Sequence, residues 1–410
     1  MNKRQALLLP LLLPLLLAGN AAWAQTTVQN KNIPKVVAPA SPAINGVLPQ
    51  YATTDILLGQ VIPLSGPNQN VGKDISYGYG MQFRKVNEDG GIYGRKVKVL
   101  ELDDGGKESQ TVAGVTDLSQ KYQVLGILGT VGSRNTRAVL ATVDKDKVPF
   151  IAPFTGDVEV NRRYDKYVFF TQPDWAEQAK AMAEFIGQAG WKNVSILYQN
   201  DVVESRNEQI IYNEFKKENV AVVAAERFDP SNTNSFNDLI ERTGKNNTEV
   251  LVILSGPQAA SVLANKALDK NKYIHIMIIP TFGVTEIVKN LDAQGHGVIF
   301  AQNLSIVKKD DTDVATEYRA MLAKYYPQAA PSFDGLQAFI NAKVVTEALK
   351  RTGQNPTREK LIESLENMAQ HNVGGTIVHF SPNSHEGQNN VELIMVGKKT
   401  NTNIFDNFIR

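Results

Sequence analysis

From Asp55 onward the chain alternates short apolar runs with amphipathic stretches, and that alternation leaves few folds open. The run ILLGQVIPL (56–64) precedes a stretch in which Ile75, Tyr79, Phe83 and Val86 recur at three- and four-residue steps until Gly90-Gly91. Apolar residues at that spacing share one face of a helix. VKVLELDD (97–104) then leads into a second such face, Val112, Val115, Leu118 and Tyr122. VLGILGT (124–130), a helix opening near Ser133, and VPFIAP (148–153) complete a first block. A second block repeats the pattern. A helix over 174–188, closed by Gly190, is followed by NVSILYQ (193–199), VAVVAAERF (220–228), VLVIL (250–254), YIHIMII (273–279) and GVIFAQ (297–302). Two long helical patterns (313–325 and 333–351), a third after Pro356, and the strand-like GTIVHF and VELIMV end the chain. Strands separated by helices call for parallel sheets covered on both faces. Single cores stop growing at roughly 250–300 residues, so 410 residues suit two doubly wound α/β lobes better than one sheet.

The N-terminus MNKRQALLLPLLLPLLLAGNAAWAQ has a basic start (Lys3, Arg4), an apolar run from Ala6 to Ala18 and the small-x-small triplet Ala22-Trp23-Ala24. This is the pattern of an export signal cut before Gln25. The run is too short to span a bilayer, and Pro10 and Pro14 interrupt it. Residues 25–54, polar and spotted with proline, are expected to form a flexible leader. The sequence holds no cysteine, which removes both a disulfide framework and a thiol for lipid attachment. The mature chain is therefore expected to lie outside the cytoplasm with no direct membrane anchor, held together by burial. The full sequence has 43 basic and 42 acidic side chains, a formal charge of +1. Loss of the signal takes this to about −1, which favours neither nucleic acid nor an anionic membrane.

The stretch SGPNQNVGKD (65–74) has the look of a phosphate-binding loop, but five residues separate Gly66 from Gly72, and Asp74 follows Lys73. A phosphate loop needs four residues there and a Ser or Thr after the lysine. The sequence also lacks a G-x-S-x-G elbow and an H-E-x-x-H motif, and its five histidines have no metal-ligand spacing. His385-Glu386 reads as part of a polar loop before the last strand. Loops at the C-terminal ends of strands, where open α/β sheets bind ligands, remain. Four carry short hydroxyls or free backbone N–H groups: Leu64-Ser65-Gly66-Pro67, Gly132-Ser133-Arg134-Asn135-Thr136, Pro153-Phe154-Thr155-Gly156 and Gln199-Asn200-Asp201. Taken singly, Ser133 could be a helix cap and Ser65 a turn residue. Their recurrence at successive strand ends points to one shared site, and the positive end of the helix after Ser133 favours an anion there.

The segments PLSGPNQNVGKD, VNEDGGIYGRKVKV (86–99), ELDDGG (101–106), GSRNT (132–136), VPFIAPFTGD (148–157) and VGGTIVHFSPNSHEGQNNVEL (373–393) follow one another in order. Through them the chain from about Asp55 to Gly397 resembles the type I periplasmic solute-binding proteins of ABC importers, in the leucine/isoleucine/valine-binding branch. The resemblance implies two α/β lobes joined by a three-strand hinge, with crossings near Thr171–Gln172, Gln302–Asn303 and Gly375–Ile377. It implies lobe 1 at 55–171 and 303–375, lobe 2 at 172–302 and 376–398, and a tail at 399–410. It also implies that Ser133 and the loop Phe154–Gly156 hold a ligand's carboxylate and ammonium from the first lobe. The family's threonine in that loop falls on Gly156, with Thr155 one position earlier. The disulfide of the amino-acid binders would fall near Gly106 and Gly132, so both its partners are absent. In the second lobe, NDVVESRNE and SGPQAA stand where that branch carries aromatic residues, and Thr281-Phe282 where it carries an acid.

The expectation is a substrate-binding protein, not an enzyme, that closes on a small amino acid or related carboxylate or amide and delivers it to an ABC permease in the inner membrane. It is expected to act as a monomer without cofactor or metal. The expected ligand-binding residues are Ser65, Gly66, Ser133, Arg134, Phe154, Thr155, Gly156, Asp201, Val203, Ser255 and Phe282. A ligand sensor docking on a membrane receptor would use the same cleft, and a periplasmic hydrolase would further need an acid–base pair in it.

Overall fold

The first apolar run folds as strand β1 (Ile56–Ile62), and its alternation with helices continues as the sequence predicts. There follow α1 (Gln69–Glu88), β2 (Val97–Asp103), α2 (Glu108–Thr116), β3 (Ile127–Leu128), α3 (Ser133–Asp146), β4 (Phe150–Ile151), the short α4 (Val158–Arg162) and β5 (Val168–Phe169). These belong to a computed structural model that describes residues 55–200, 202–280, 282–304, 313–398 and 408–409. The expected export signal and leader, and residues 399–407 and 410 of the tail, lie outside the described residues. The five strands form one parallel sheet in the order β2-β1-β3-β4-β5, with Ile56 opposite Val97, Gly59 opposite Ile127 and Phe150 opposite Val168.

The second block gives α5 (Trp175–Ala189), β6 (Asn193–Gln199), α6 (Val202–Lys217), β7 (Ala221–Phe228), α7 (Phe236–Gly244), β8 (Val250–Ser255), α8 (Pro257–Lys270), β9 (His275–Pro280), α9 (Val284–Asn290) and β10 (Ile299–Gln302). Its parallel strands lie in the order β10-β9-β8-β6-β7, which is the order of the first sheet repeated. Every residue of β8 is buried, as expected of a strand covered on both faces, whereas the edge strand β7 alternates exposed and half-buried positions. The chain then forms α10 (Asp313–Tyr325), α11 (Phe333–Arg351) and α12 (Arg358–Glu366), and α11 packs lengthwise on α1 of the first half.

The closing segment differs from two simple strands. GTIVHF contributes β12 (Thr376–Val378) to a small hairpin with β11 (His371–Val373), because Gly374 and Gly375 turn the chain back. VELIMV becomes β13 (Glu392–Val396), which joins β10 antiparallel and is in turn paired by β14 (Phe408–Ile409). Between hairpin and β13, His385 is buried rather than part of a polar loop. Its ring stacks on Phe169 with centroids 3.8 Å apart, and its Nδ1 lies 2.9 Å from the Asp165 carbonyl and 3.0 Å from that of Val168. Buried apolar side chains of this size contribute about 1.5–3 kcal/mol each, and they hold a chain without cysteine.

Candidate functional site

In a doubly wound sheet the strand order reverses between the first and third strands, and the loops leaving those strands diverge to open a crevice. Both sheets have such a point, between β1 and β3 and between β6 and β8. The two crevices line one chamber of about 190 Å³. Pro63 and Asn68 come from the loop after β1, Val131 and Gly132 from the loop after β3, Ser133–Asn135 from the start of α3, Gln199 from the end of β6, Gly256 from the turn after β8, Gln258 from the start of α8, and Phe282 from the loop after β9. Phe282 also borders a second, inner chamber of about 50 Å³, formed by Phe154–Gly156, Gln178, Pro280, Gly283, Val284 and the passages between the sheets at Gln172-Pro173 and Ala301–Leu304. Phe333, Asp334 and Gln337 at the start of α11 complete it.

Hydrogen bonds across the cleft hold the two halves together. Gln258 donates to the Pro67 carbonyl (3.0 Å), Asn70 to Glu286 (3.2 Å), the Gly283 N–H to Asp334 (3.1 Å) and the Phe333 N–H to the Thr285 hydroxyl (3.0 Å). Behind the inner chamber, a chain of carboxamides ties the passages to α11. The Thr171 hydroxyl donates to Asn341 Oδ1 (2.7 Å), Gln337 Nε2 to the same oxygen (2.8 Å), and Asn303 Nδ2 to Gln337 Oε1 (2.8 Å). Gln388, just before β13, donates back to the Asn303 carbonyl (3.1 Å). These uncharged groups satisfy one another without the desolvation cost that buried charges would carry.

The expected residues are placed as follows. Ser133 is buried and its hydroxyl lies 2.8 Å from that of Thr155, whose Oγ1 also accepts from the Asp157 N–H at 3.1 Å. Ser133 therefore does not act as a helix cap: the residue before α3 is Gly132, with no side-chain cap bond. Arg134 is exposed on the rim of the outer chamber, and Phe154, Thr155 and Gly156 line the inner one. A Cβ on Gly156 would lie 2.3 Å from the Trp175 indole, so no side chain fits there and the hydroxyl of this loop comes from Thr155. Ser65 and Gly66 lie on the exposed side of their turn, outside both chambers. The turn itself is fixed by Asp103, which accepts from the N–H groups of Leu64 (2.8 Å), Ser65 (3.1 Å) and Gly105 (2.8 Å). Burial works to raise the Asp103 pKa, but the bonds from Ser65, Gly105 and Leu64 outweigh it and hold the carboxylate below its ordinary range. Ser255 is buried against Gln199 at 3.4 Å and leaves the chamber wall to Gly256. Asp201 lies outside the described residues, and Val203 is described by its backbone alone, in the first turn of α6. Sequence reasoning missed the polar wall of the inner chamber, Gln172, Gln178, Gln302, Asn303, Asp334 and Gln337. None of these has a local motif.

Asp334 is the acid of the inner chamber. Burial pushes its pKa up to about 7, against the Gly283 N–H that lowers it, with nearby Asp74 and Glu286 raising it further. Burial likewise lifts Asp74 to about 6, partly offset by Ser332 and Lys289. A carboxyl whose folded pKa is raised stabilises the fold fully below its ordinary pKa, and that contribution is lost as pH rises through the folded value. Stability should therefore fall between pH 5 and 8, by about 2–3 kcal/mol for Asp334 at about 1.4 kcal/mol per pH unit. Melting curves of wild type and Asp334→Asn across that range check this. Parallel pH profiles would show that Asp334 does not titrate there.

Among the described residues no helix is long and apolar enough to cross a membrane, and no cluster of His, Asp and Glu could hold a metal ion. The chain is similar to Leu/Ile/Val-binding protein homolog 7 of Brucella suis, 24% identical over 319 residues that cover 73% of this chain and 78% of that protein. It is similar also to homolog 8 of Brucella abortus, 26% identical over 322 residues, covering 75% and 79%. Among solved structures, the substrate-binding periplasmic protein of Ralstonia solanacearum superposes with a TM-score of 0.77 at 23% identity, over 84% of this chain and 98% of that one. A fatty acid ABC transporter substrate-binding protein from Thermomonospora curvata gives 0.74 at 18% identity, over 87% and 91%. The family model for periplasmic binding proteins matches residues 19–401. With paired doubly wound halves facing each other across a cleft, the chain belongs to the periplasmic binding protein family.

Proposed function

We propose that this chain is the substrate-binding component of an ABC importer, holding a small amino acid or related carboxylate or amide between its halves and delivering it to an inner-membrane permease. The observation that carries this reading is the cleft itself, where the switch points of both sheets face one another and the Ser133–Thr155 hydroxyl pair stands at the start of α3. Serine and threonine hydroxyls beside a helix N-terminus suit a carboxylate. The names of the Brucella relatives and of the Thermomonospora structure support a transport role for small carboxylate-bearing solutes. In this reading residues 1–24 direct export to the periplasm, and the mature protein works there as a monomer without catalysis. The proposed lobes are 55–171 with 303–375 and 172–302 with 376–398.

A thermal-shift panel of amino acids, small carboxylates and amides on residues 25–410 tests the reading. A ligand at 100 times its dissociation constant should add about 2.7 kcal/mol of stability. Ser133→Ala should then weaken binding by roughly 10- to 100-fold, the worth of one hydrogen bond to a charged group, while the unliganded protein still folds. Unchanged affinity would remove Ser133 from the site.

A further inference from the structure

The two chambers meet at Phe282 but differ in charge. Among the described residues, Arg134 is the only charged side chain lining the outer chamber, and Asp334 the only one lining the inner. The rest of the inner wall's polarity comes from Thr155 and from carboxamides, of which Gln178 is the informative one. Its Nε2 donates to the Pro173 carbonyl at 3.2 Å, but its Oε1 is buried and has no hydrogen-bond partner among the described residues. The residue as a whole is 9% exposed. Native folds leave few such acceptors unpaired, since each costs about 1–3 kcal/mol. A chamber of about 50 Å³ has room for about four water-sized groups. An aliphatic branch would fit that volume, but it would leave the Gln178 oxygen unpaired and take water from Asp334. A nitrogen bearing protons satisfies both.

We propose that the inner chamber recognises a compact nitrogen donor, an ammonium or a primary carboxamide, at the far end of a ligand whose carboxylate lies in the outer chamber. The ligand class is then a short carboxylate tipped by such a donor. The Ser133 and Thr155 hydroxyls, one in the wall of each chamber, are 2.8 Å apart, so the chambers adjoin and a short linker between the ligand's ends reaches from one to the other. This rests on the reading of the protein as a binder of small carboxylates, and narrows it away from branched aliphatic amino acids.

Calorimetric titration of residues 25–410 with 4-aminobutanoate, L-glutamine, pentanoate and L-leucine tests it. The two donor-tipped compounds should bind at least about tenfold more tightly than pentanoate and leucine. Gln178→Leu should abolish that preference. Leucine or pentanoate binding as tightly as the donor-tipped pair would overturn the inference and leave the broader reading standing. So would an unchanged preference in a folded Gln178→Leu protein. Failure of all four to bind would overturn both. Should Gln178→Leu not fold, Asp334→Asn decides: it should weaken 4-aminobutanoate more than glutamine, and equal or no weakening would sink the proposal.

Discussion

Replacing Gly78 with alanine should destabilise the protein by about 3 kcal/mol or more. Gly78 lies mid-helix in α1, where glycine costs about 1 kcal/mol relative to alanine in propensity alone, so the smaller residue needs a reason. It is the closeness of α11. A Cβ on Gly78 would stand 2.3 Å from the Gly335 carbonyl oxygen, 2.6 Å from the Ala338 Cβ and 2.9 Å from the Phe339 nitrogen. Two of these are backbone atoms that no rotamer change can move, so the helices must part and loosen the packing around buried Tyr79 and Phe339. Overpacking of an ordinary core costs about 1–3 kcal/mol, and a backbone clash belongs at or beyond the upper end. Gly187→Ala is the matched control. Gly187 is helical in α5 with nothing within 4 Å of its added Cβ, so this change should stabilise by about 0.5–1 kcal/mol. Urea midpoints of the two variants should move in opposite directions. A Gly78→Ala midpoint at or above wild type would show that α1 and α11 yield to the methyl group.

Asp157→Ala should lower the melting temperature by about 6–12 °C. Asp157 is fully buried and its carboxylate has several partners. It receives both Nε and Nη2 of Arg137, the latter at 2.6 Å, and the Glu159 N–H at the start of α4 (3.3 Å). It also receives Asn207 Nδ2 from α6 (3.3 Å), while Asn207 Oδ1 accepts the Val158 N–H at 3.1 Å. Truncation removes an ion pair, a helix cap and a bridge between the halves together. Breaking a buried pair costs about 3–5 kcal/mol. Arg137 keeps Glu159 at 2.9 Å and is partly exposed, which places the loss near 3 kcal/mol, or about 2–4 °C per kcal/mol for lobes of this size. Asp157→Asn, which keeps the cap oxygen but not the charge, should lose less. Equal losses for both would show that the charge contributes little and the hydrogen bonds carry the effect.

Much of the architecture was legible because strands and helices announce themselves locally. The apolar periods placed α1, α5, α10 and α11 close to their observed bounds, and strand-end loops pointed to Ser133, Arg134 and Phe154–Gly156, all of which border the cleft. The turn at Ser65 and Gly66 was recognised as a turn, but its chamber-lining residues are their neighbours Pro63 and Asn68. At the end of β8, Gly256 rather than Ser255 reaches the wall. Such shifts of one or two residues follow from which way each loop rotates on leaving its sheet, and local sequence does not encode that rotation.

What the sequence by itself determined is the order and kind of elements, because the hydrophobic period needs only neighbours three, four or two residues away. The inner chamber was decided by the tertiary structure alone. Asp334 meets Gly283 across 51 residues, Asn303 meets Gln388 across 85, and Gln258 meets Pro67 across 191. Asp334, Asn303 and Gln337 are ordinary polar residues until the chain's passages between the sheets bring them together. Their buried polarity is tolerated because each finds its partner there, and only the assembled fold can supply that partner.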